Sequence, residues 1–136
     1  MTYEILWKIH AGLMSTSFIA LLSGIIISIL YKKKKWRYKT HKTLGIYAGA
    51  SGAAALLTAV IMVQLLGGVH FSSLHTIIGG VTGLLLLLTP VAGLKIRTAK
   101  NKKRLKVIHR IMGYSTAIMM LIVILLGLRL AGIISY

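Results

Sequence analysis

The stretch Phe71-Ser72-Ser73-Leu74-His75-Thr76-Ile77-Ile78-Gly79-Gly80-Val81-Thr82-Gly83 sets the pattern for the chain. A histidine opens an apolar run, and a glycine follows four residues on, one turn deeper on the same face of a helix. The pattern recurs on both sides of it. His41 is followed by Gly45 and His109 by Gly113, while His10 opens the first apolar run with Met14 at the fourth place. A fifth histidine, His70, opens no such run and reads as a solvated turn residue.

Residues 43–94, which contain this stretch, hold no Lys, Arg, Asp or Glu. That length is too great for one crossing of a hydrocarbon core about 30 Å thick, at about 1.5 Å per residue, and suits two. The break belongs near Leu66-Gly67-Gly68-Val69-His70-Phe71-Ser72-Ser73, where glycine and serine favour a turn. Residues 9–31 are equally uncharged and long enough to cross once. They read as a retained transmembrane helix and not as a cleaved leader, because the basic cluster follows the apolar run and the run exceeds an h-region. The expected fold is all-α: an integral membrane four-helix bundle, up-down-up-down, forming one domain with helices over about 5–31, 40–66, 73–95 and 103–130. Pro90 falls in the last turns of the third helix and is expected to kink it.

Composition agrees. The mean hydropathy is +0.84, with 57% hydrophobic residues, beyond the range of a soluble domain. There are 17 Lys and Arg against one acid, Glu4, and no cysteine. So basic a soluble chain would suggest nucleic acid, but here the charge lies in loops between apolar runs, which argues against such a partner. Without cysteine there are no disulfides, thiolate metal sites or covalent haem attachment. Fifteen of the positive charges fall in the two loops 32–42 and 95–110. An up-down-up-down bundle puts both loops on one face. The positive-inside rule makes that face cytoplasmic and puts both termini outside.

Helices that alternate in direction alternate the side on which they start. His10 and His75 therefore belong to the outer surface, and His41 and His109 to the cytoplasmic one. The first and third helices of a four-helix bundle are diagonal, as are the second and fourth. Each diagonal pair can point two imidazoles at one another, as bis-histidine ligation of a b-type haem requires. Gly45, Gly79 and Gly113 leave room beside the ligands for a flat macrocycle, and Ala48, Gly49 and Gly52 extend the His41 face. Lys35, Arg37, Lys39 and Arg110 are candidates to pair with haem propionates or an anionic donor. Simpler readings exist for each part: interfacial histidines, and helix-packing motifs in Gly45-x-x-x-Gly49 and Gly79-x-x-x-Gly83. Four helix-start histidines paired by side, three of them with glycine at the fourth place after, together favour two haems.

At these residues the chain resembles the cytochrome b561 family. His10-Ala11-Gly12-Leu13-Met14 followed by Phe18 is similar to the family's His-Pro-Leu-Leu-Met segment, with Ala11 in place of proline. Lys39-Thr40-His41-Lys42-Thr43-Leu44-Gly45 resembles its Lys-x-x-His-x-x-Leu-Gly start, with the lysine one place closer. Ser73-Leu74-His75-Thr76-Ile77-Ile78-Gly79 is similar to its Ser-Leu-His-Ser-Trp-x-Gly segment, and His109-Arg110-Ile111-Met112-Gly113-Tyr114 to its last ligand helix. The resemblance implies two non-covalent haem b groups, His10 with His75 and His41 with His109, carrying electrons across the membrane. The family typically has six helices, so this chain corresponds to its four-helix haem core; a homodimer is the family's usual state. Members often take electrons from ascorbate through cytoplasmic basic residues, and Lys35, Arg37, Lys39 or Lys106 could serve a similar anionic donor. If the chain is an enzyme, it would be a transmembrane oxidoreductase of ferric, ascorbate or quinol-linked type.

The expected partners are membrane lipid and a small anionic donor, a quinol or a redox protein. Three alternatives stay open: a non-haem metal-ion transporter, the cytochrome b subunit of a larger quinol-oxidising complex, and a cofactor-free structural subunit. The transporter is disfavoured by the lack of intramembrane carboxylates and thiolates.

Overall fold

The computed structural model describes residues 2–134 apart from Val69. Four helices account for most of them: α1 (Thr2–Leu30), α2 (Arg37–Leu65), α3 (Leu74–Lys95) and α4 (Lys102–Leu130). All four are long and apolar enough to cross a membrane, and there is no strand among the described residues. In lipid every backbone polar group must be satisfied within the protein, which makes helices the natural spanning form for such sequences. α3 runs through Pro90 without leaving the helical conformation.

The helix starts have local causes. At α3, extended Ser73 accepts a hydrogen bond from the Thr76 N–H at 3.3 Å, and Thr76 Oγ1 accepts one from the Ser73 N–H at 3.1 Å. This reciprocal capping box satisfies two otherwise orphaned donors. At α4, Asn101 Oδ1 accepts from the Arg104 N–H at 3.0 Å. α2 has no side-chain cap and starts at Arg37, three residues before the expected position. The Thr40 hydroxyl, which could have capped a later start, instead donates to the Trp36 carbonyl one turn back. Ser73→Ala is expected to destabilise the α3 start by about 1 kcal/mol, read as faster amide exchange over residues 73–77 with the rest of the bundle unchanged.

Each helix touches its two neighbours in chain order, α4 closes weakly on α1, and the diagonal pairs α1/α3 and α2/α4 make no backbone approach. The central core is Met14, Ala20, Leu21, Ala48, Ala55, Leu86 and Met120. Glycine brings α2 and α3 together. Leu86 fills the space where a Gly52 side chain would stand, Pro90 packs 3.1 Å from a Cβ built at Gly49, and Leu56 covers Gly83. Buried hydroxyls are all satisfied. Ser17 donates to the Ala48 carbonyl at 2.7 Å and Ser51 to the Leu13 carbonyl at 2.8 Å, tying α1 to α2. Thr82, Thr89 and Thr116 donate one turn back along their own helices. The outer surface of the bundle is lined with leucine, isoleucine and valine exposed on every helix, as lipid contact demands.

Among the described residues of the α2–α3 turn, Phe71 is in the left-handed region, at φ 62°. Its ring lies on Gly80, where a Cβ would stand 2.9 Å from Phe71 Cε1. Gly80 thus makes the space for a ring contact that compensates the backbone cost of about 1–2 kcal/mol at such a residue.

Candidate functional site

The four helix histidines lie at different distances from their helix starts. His75 is in the first turn of α3, His41 in the second of α2, and His109 and His10 two turns or more into α4 and α1. α1, α2 and α4 begin in the polar flanks, so the helix start itself is not the common feature. What the four share is a hydrogen bond. His10 Nδ1 donates to the Ala55 carbonyl at 2.9 Å, and His41 Nδ1 to the Gly24 carbonyl at 2.9 Å. His75 Nδ1 donates to the Val123 carbonyl at 3.0 Å, and His109 Nδ1 to the Thr89 carbonyl at 3.0 Å. Each bond crosses to the adjacent helix of the same hairpin. α1 and α2 exchange one in each direction, and so do α3 and α4.

The chemistry follows from the acceptor. A carbonyl oxygen only accepts, so the proton must sit on Nδ1. In the neutral ring Nε2 then holds an unshared lone pair, and the ring is fixed in orientation by the bond behind it. A metal-ligating histidine is usually arranged in this way, with its second nitrogen bonded to a carbonyl or carboxylate.

Two of the rings face each other closely. The centroids of His41 and His109 are 5.9 Å apart with planes at 88°, although the backbones of α2 and α4 do not approach one another. Imidazole nitrogens sit about 2 Å from a metal they bind, which sets rings on opposite sides of one metal roughly 6 Å apart between centroids.

A cavity of about 510 Å³ opens between all four helices at the end that carries the two basic loops, and both His41 and His109 line it. Its size is within the range of about 300–1,000 Å³ usual for cofactor sites. Gly45 and Gly113 line it too; a Cβ at Gly45 would meet nothing within 4 Å, and one at Gly113 only Thr89 Cγ2 at 3.9 Å. These residues fit a flat macrocycle gripped by two imidazoles. The expected extension of this face to Gly49 and Gly52 does not reach the cavity in the same way, because their faces are filled by Pro90 and Leu86 of α3.

Among the expected cations, Arg37 and Arg110 line the cavity, and Arg37 Nη1 also donates to the Ser28 carbonyl at 3.2 Å. Lys35 and Lys39 are exposed and are not among the lining residues. Lys32, Lys42 and Arg97, which the sequence did not single out, join Lys106 there with Tyr38 and Tyr114. At the opposite end a shallower cleft of about 330 Å³ is lined by His75, Ser73 and Arg129, without His10. Gly79 is near it in sequence, and a Cβ there would meet Val123 Cγ1 at an ordinary 3.7 Å. His70 is exposed in the turn. No group of three or more His, Cys, Asp or Glu side chains that could hold a metal ion occurs among the described residues.

The backbone acceptors Gly24, Ala55, Thr89 and Val123 were not legible as functional positions, since any residue type supplies a carbonyl. Their only signal is a repeat in spacing. Gly24 and Thr89 are separated by 65 residues, as are His10 and His75, and Ala55 and Val123 by 68, as are His41 and His109. Both hairpins are built by one rule.

The family model described as eukaryotic cytochrome b561 matches residues 9–134, a span that includes all four of these histidines and their acceptors. Searches of curated proteins and of solved structures give no match.

Proposed function

Because the chain belongs to the cytochrome b561 family, whose members are multi-pass membrane proteins that bind haem b and move electrons across the membrane, we propose that it carries two haem b groups, one near each surface. His41 and His109 hold the group at the basic end, and His10 and His75 hold the other. The observation that supports this reading is the set of four Nδ1–carbonyl bonds, two in each hairpin, which in the neutral rings leave every Nε2 available to a metal.

Haem, when bound, supplies a one-electron carrier. The rest is done by the chain. Each backbone carbonyl keeps its imidazole in one tautomer and one orientation, so little rearrangement is needed between redox states. With two side-chain nitrogens holding the iron, no position would be left open for oxygen chemistry. Ala48, Leu86 and Leu21 close the inner end of the cavity against water. Arg37, Lys42, Lys106 and Arg110 surround its mouth, suited to propionates and to a small anionic donor. The basic loops face the cytoplasm by the positive-inside rule, so that donor is cytoplasmic. A quinol or a redox protein fits the other end, where Arg129 is the cation at the cleft. The four helices act as one diheme unit, and a homodimer is compatible with their apolar outer faces.

The test is the dithionite-reduced spectrum of the purified chain, with haem counted by pyridine hemochrome. Two b-type haems per chain are expected for four such ligands. A colourless protein after haem-replete expression would overturn the reading.

A further inference from the structure

We propose that Gly93 and Gly127 are positioning residues, each the seat on which a ligand imidazole lies. A Cβ built at Gly93 would stand 2.9 Å from His109 Cε1 and 3.2 Å from its Nδ1; one at Gly127 would stand 2.9 Å from His75 Cε1 and 3.3 Å from its Nδ1. Real side chains do not tolerate such an approach, and the atoms met belong to a rigid ring that is itself bonded from behind. His109 bonds the Thr89 carbonyl and His75 the Val123 carbonyl. Gly93 is four residues after Thr89, and Gly127 four after Val123. Each ring therefore spans one turn of the adjacent helix, with a carbonyl at one end and a bare backbone at the other.

The same register in the first hairpin places Ser28 four residues after Gly24 and Ala59 four after Ala55. All four positions are small, and the two in the second hairpin are reduced to hydrogen. A helix presents residues four apart on one face, so a larger residue there must lift the ring edge and lengthen or bend its Nδ1 bond. The orientation of an axial imidazole and the strength of its second hydrogen bond tune the metal, so the change reaches the iron even where the ligand stays bound. These glycines are separate from Gly45, Gly79 and Gly113, which follow the histidines on their own helices.

The inference rests on the diheme reading, and the experiment separates the two. Gly93→Ala, Gly127→Ala and, as a control, Gly12→Ala, which meets nothing within 4 Å, are purified in haem-loaded form. Low-spin electron paramagnetic resonance and a redox titration are recorded for each. Gly127→Ala is expected to shift or lose the signal and potential of the His10/His75 haem alone, and Gly93→Ala those of the His41/His109 haem alone. In each variant the untouched haem reports that the bundle has folded. If one variant does not accumulate, the other decides, since each makes a prediction for one end only. Wild-type spectra and potentials in the variants would overturn the proposal while leaving the diheme reading intact. So would equal disturbance of both haems, the mark of a general packing role. A wild-type protein without two haems would overturn the reading, and this inference with it.

Discussion

On the two-haem reading, His41→Ala and His109→Ala are each expected to lower bound haem from two per chain to one, as counted by pyridine hemochrome, because each would remove one of the two imidazoles proposed to hold the group at the basic end. The double variant His41→Ala/His109→Ala loses no more than either single one, since the two residues act on one group and are not additive. His10→Ala combined with His109→Ala, by contrast, loses both haems. The pattern of doubles, not the loss itself, identifies the diagonal pairing. A pairing by hairpin would reverse it: His41 with His10 would make His10→Ala/His41→Ala the non-additive pair. The 5.9 Å approach of the His41 and His109 rings favours the diagonal result. A cofactor that binds only the folded chain adds to its stability by mass action, so each single variant also melts earlier. Each has a further cost, because the Gly24 or the Thr89 carbonyl loses its ring donor.

The second large effect is on assembly. Gly52→Ala is expected to destabilise the bundle by about 1–3 kcal/mol, the usual cost of overpacking a filled core, measured by denaturant unfolding in detergent. The new methyl would overlap the end of Leu86 and stand 3.3 Å from Ser17 Oγ. Leu86 is 1% exposed and Ser17 is fully buried, its hydroxyl committed to the Ala48 carbonyl, so neither can move aside. Leu86→Ala alone leaves a cavity and costs about 2–5 kcal/mol. In the double variant the added methyl occupies part of that cavity, so the total falls below the sum. Strict additivity would show that the two positions do not meet.

Much of this was legible in the residues. Uncharged runs bounded by lysine clusters give the number of crossings, and the alternation of helix direction brings His41 and His109 to one end, where their rings lie 5.9 Å apart. Three things were hidden for physical reasons. Helix starts were misplaced where a hydroxyl had two options: Thr40 could cap a helix or bond back along it, and only the surrounding chain decides. The glycines of α2 share one face, so sequence spacing treats Gly45, Gly49 and Gly52 alike. Depth separates them, because α3 turns Pro90 and Leu86 toward the deeper two and leaves Gly45 open. Spacing along one helix carries no information about what the next helix places opposite. The imidazole acceptors were invisible for a different reason, because a backbone carbonyl has no letter in the sequence.

That choice of acceptor has an electrical consequence. The partner of every helix imidazole is a neutral amide, which does not titrate, and the one acidic side chain of the chain, Glu4, is exposed at the start of α1 and held by Lys8. A carboxylate behind the ring could take up a proton as the iron was reduced and hide the incoming charge; an amide cannot. On the two-haem reading, an electron moving between the two ends would find no compensating proton at the partners of its imidazoles. To the extent that the charge crosses uncompensated, its passage would be electrogenic, weighted by about 2.3 kcal/mol per 100 mV for a charge that crosses the full span, and the membrane voltage would act as a brake or an accelerator according to the direction of flow.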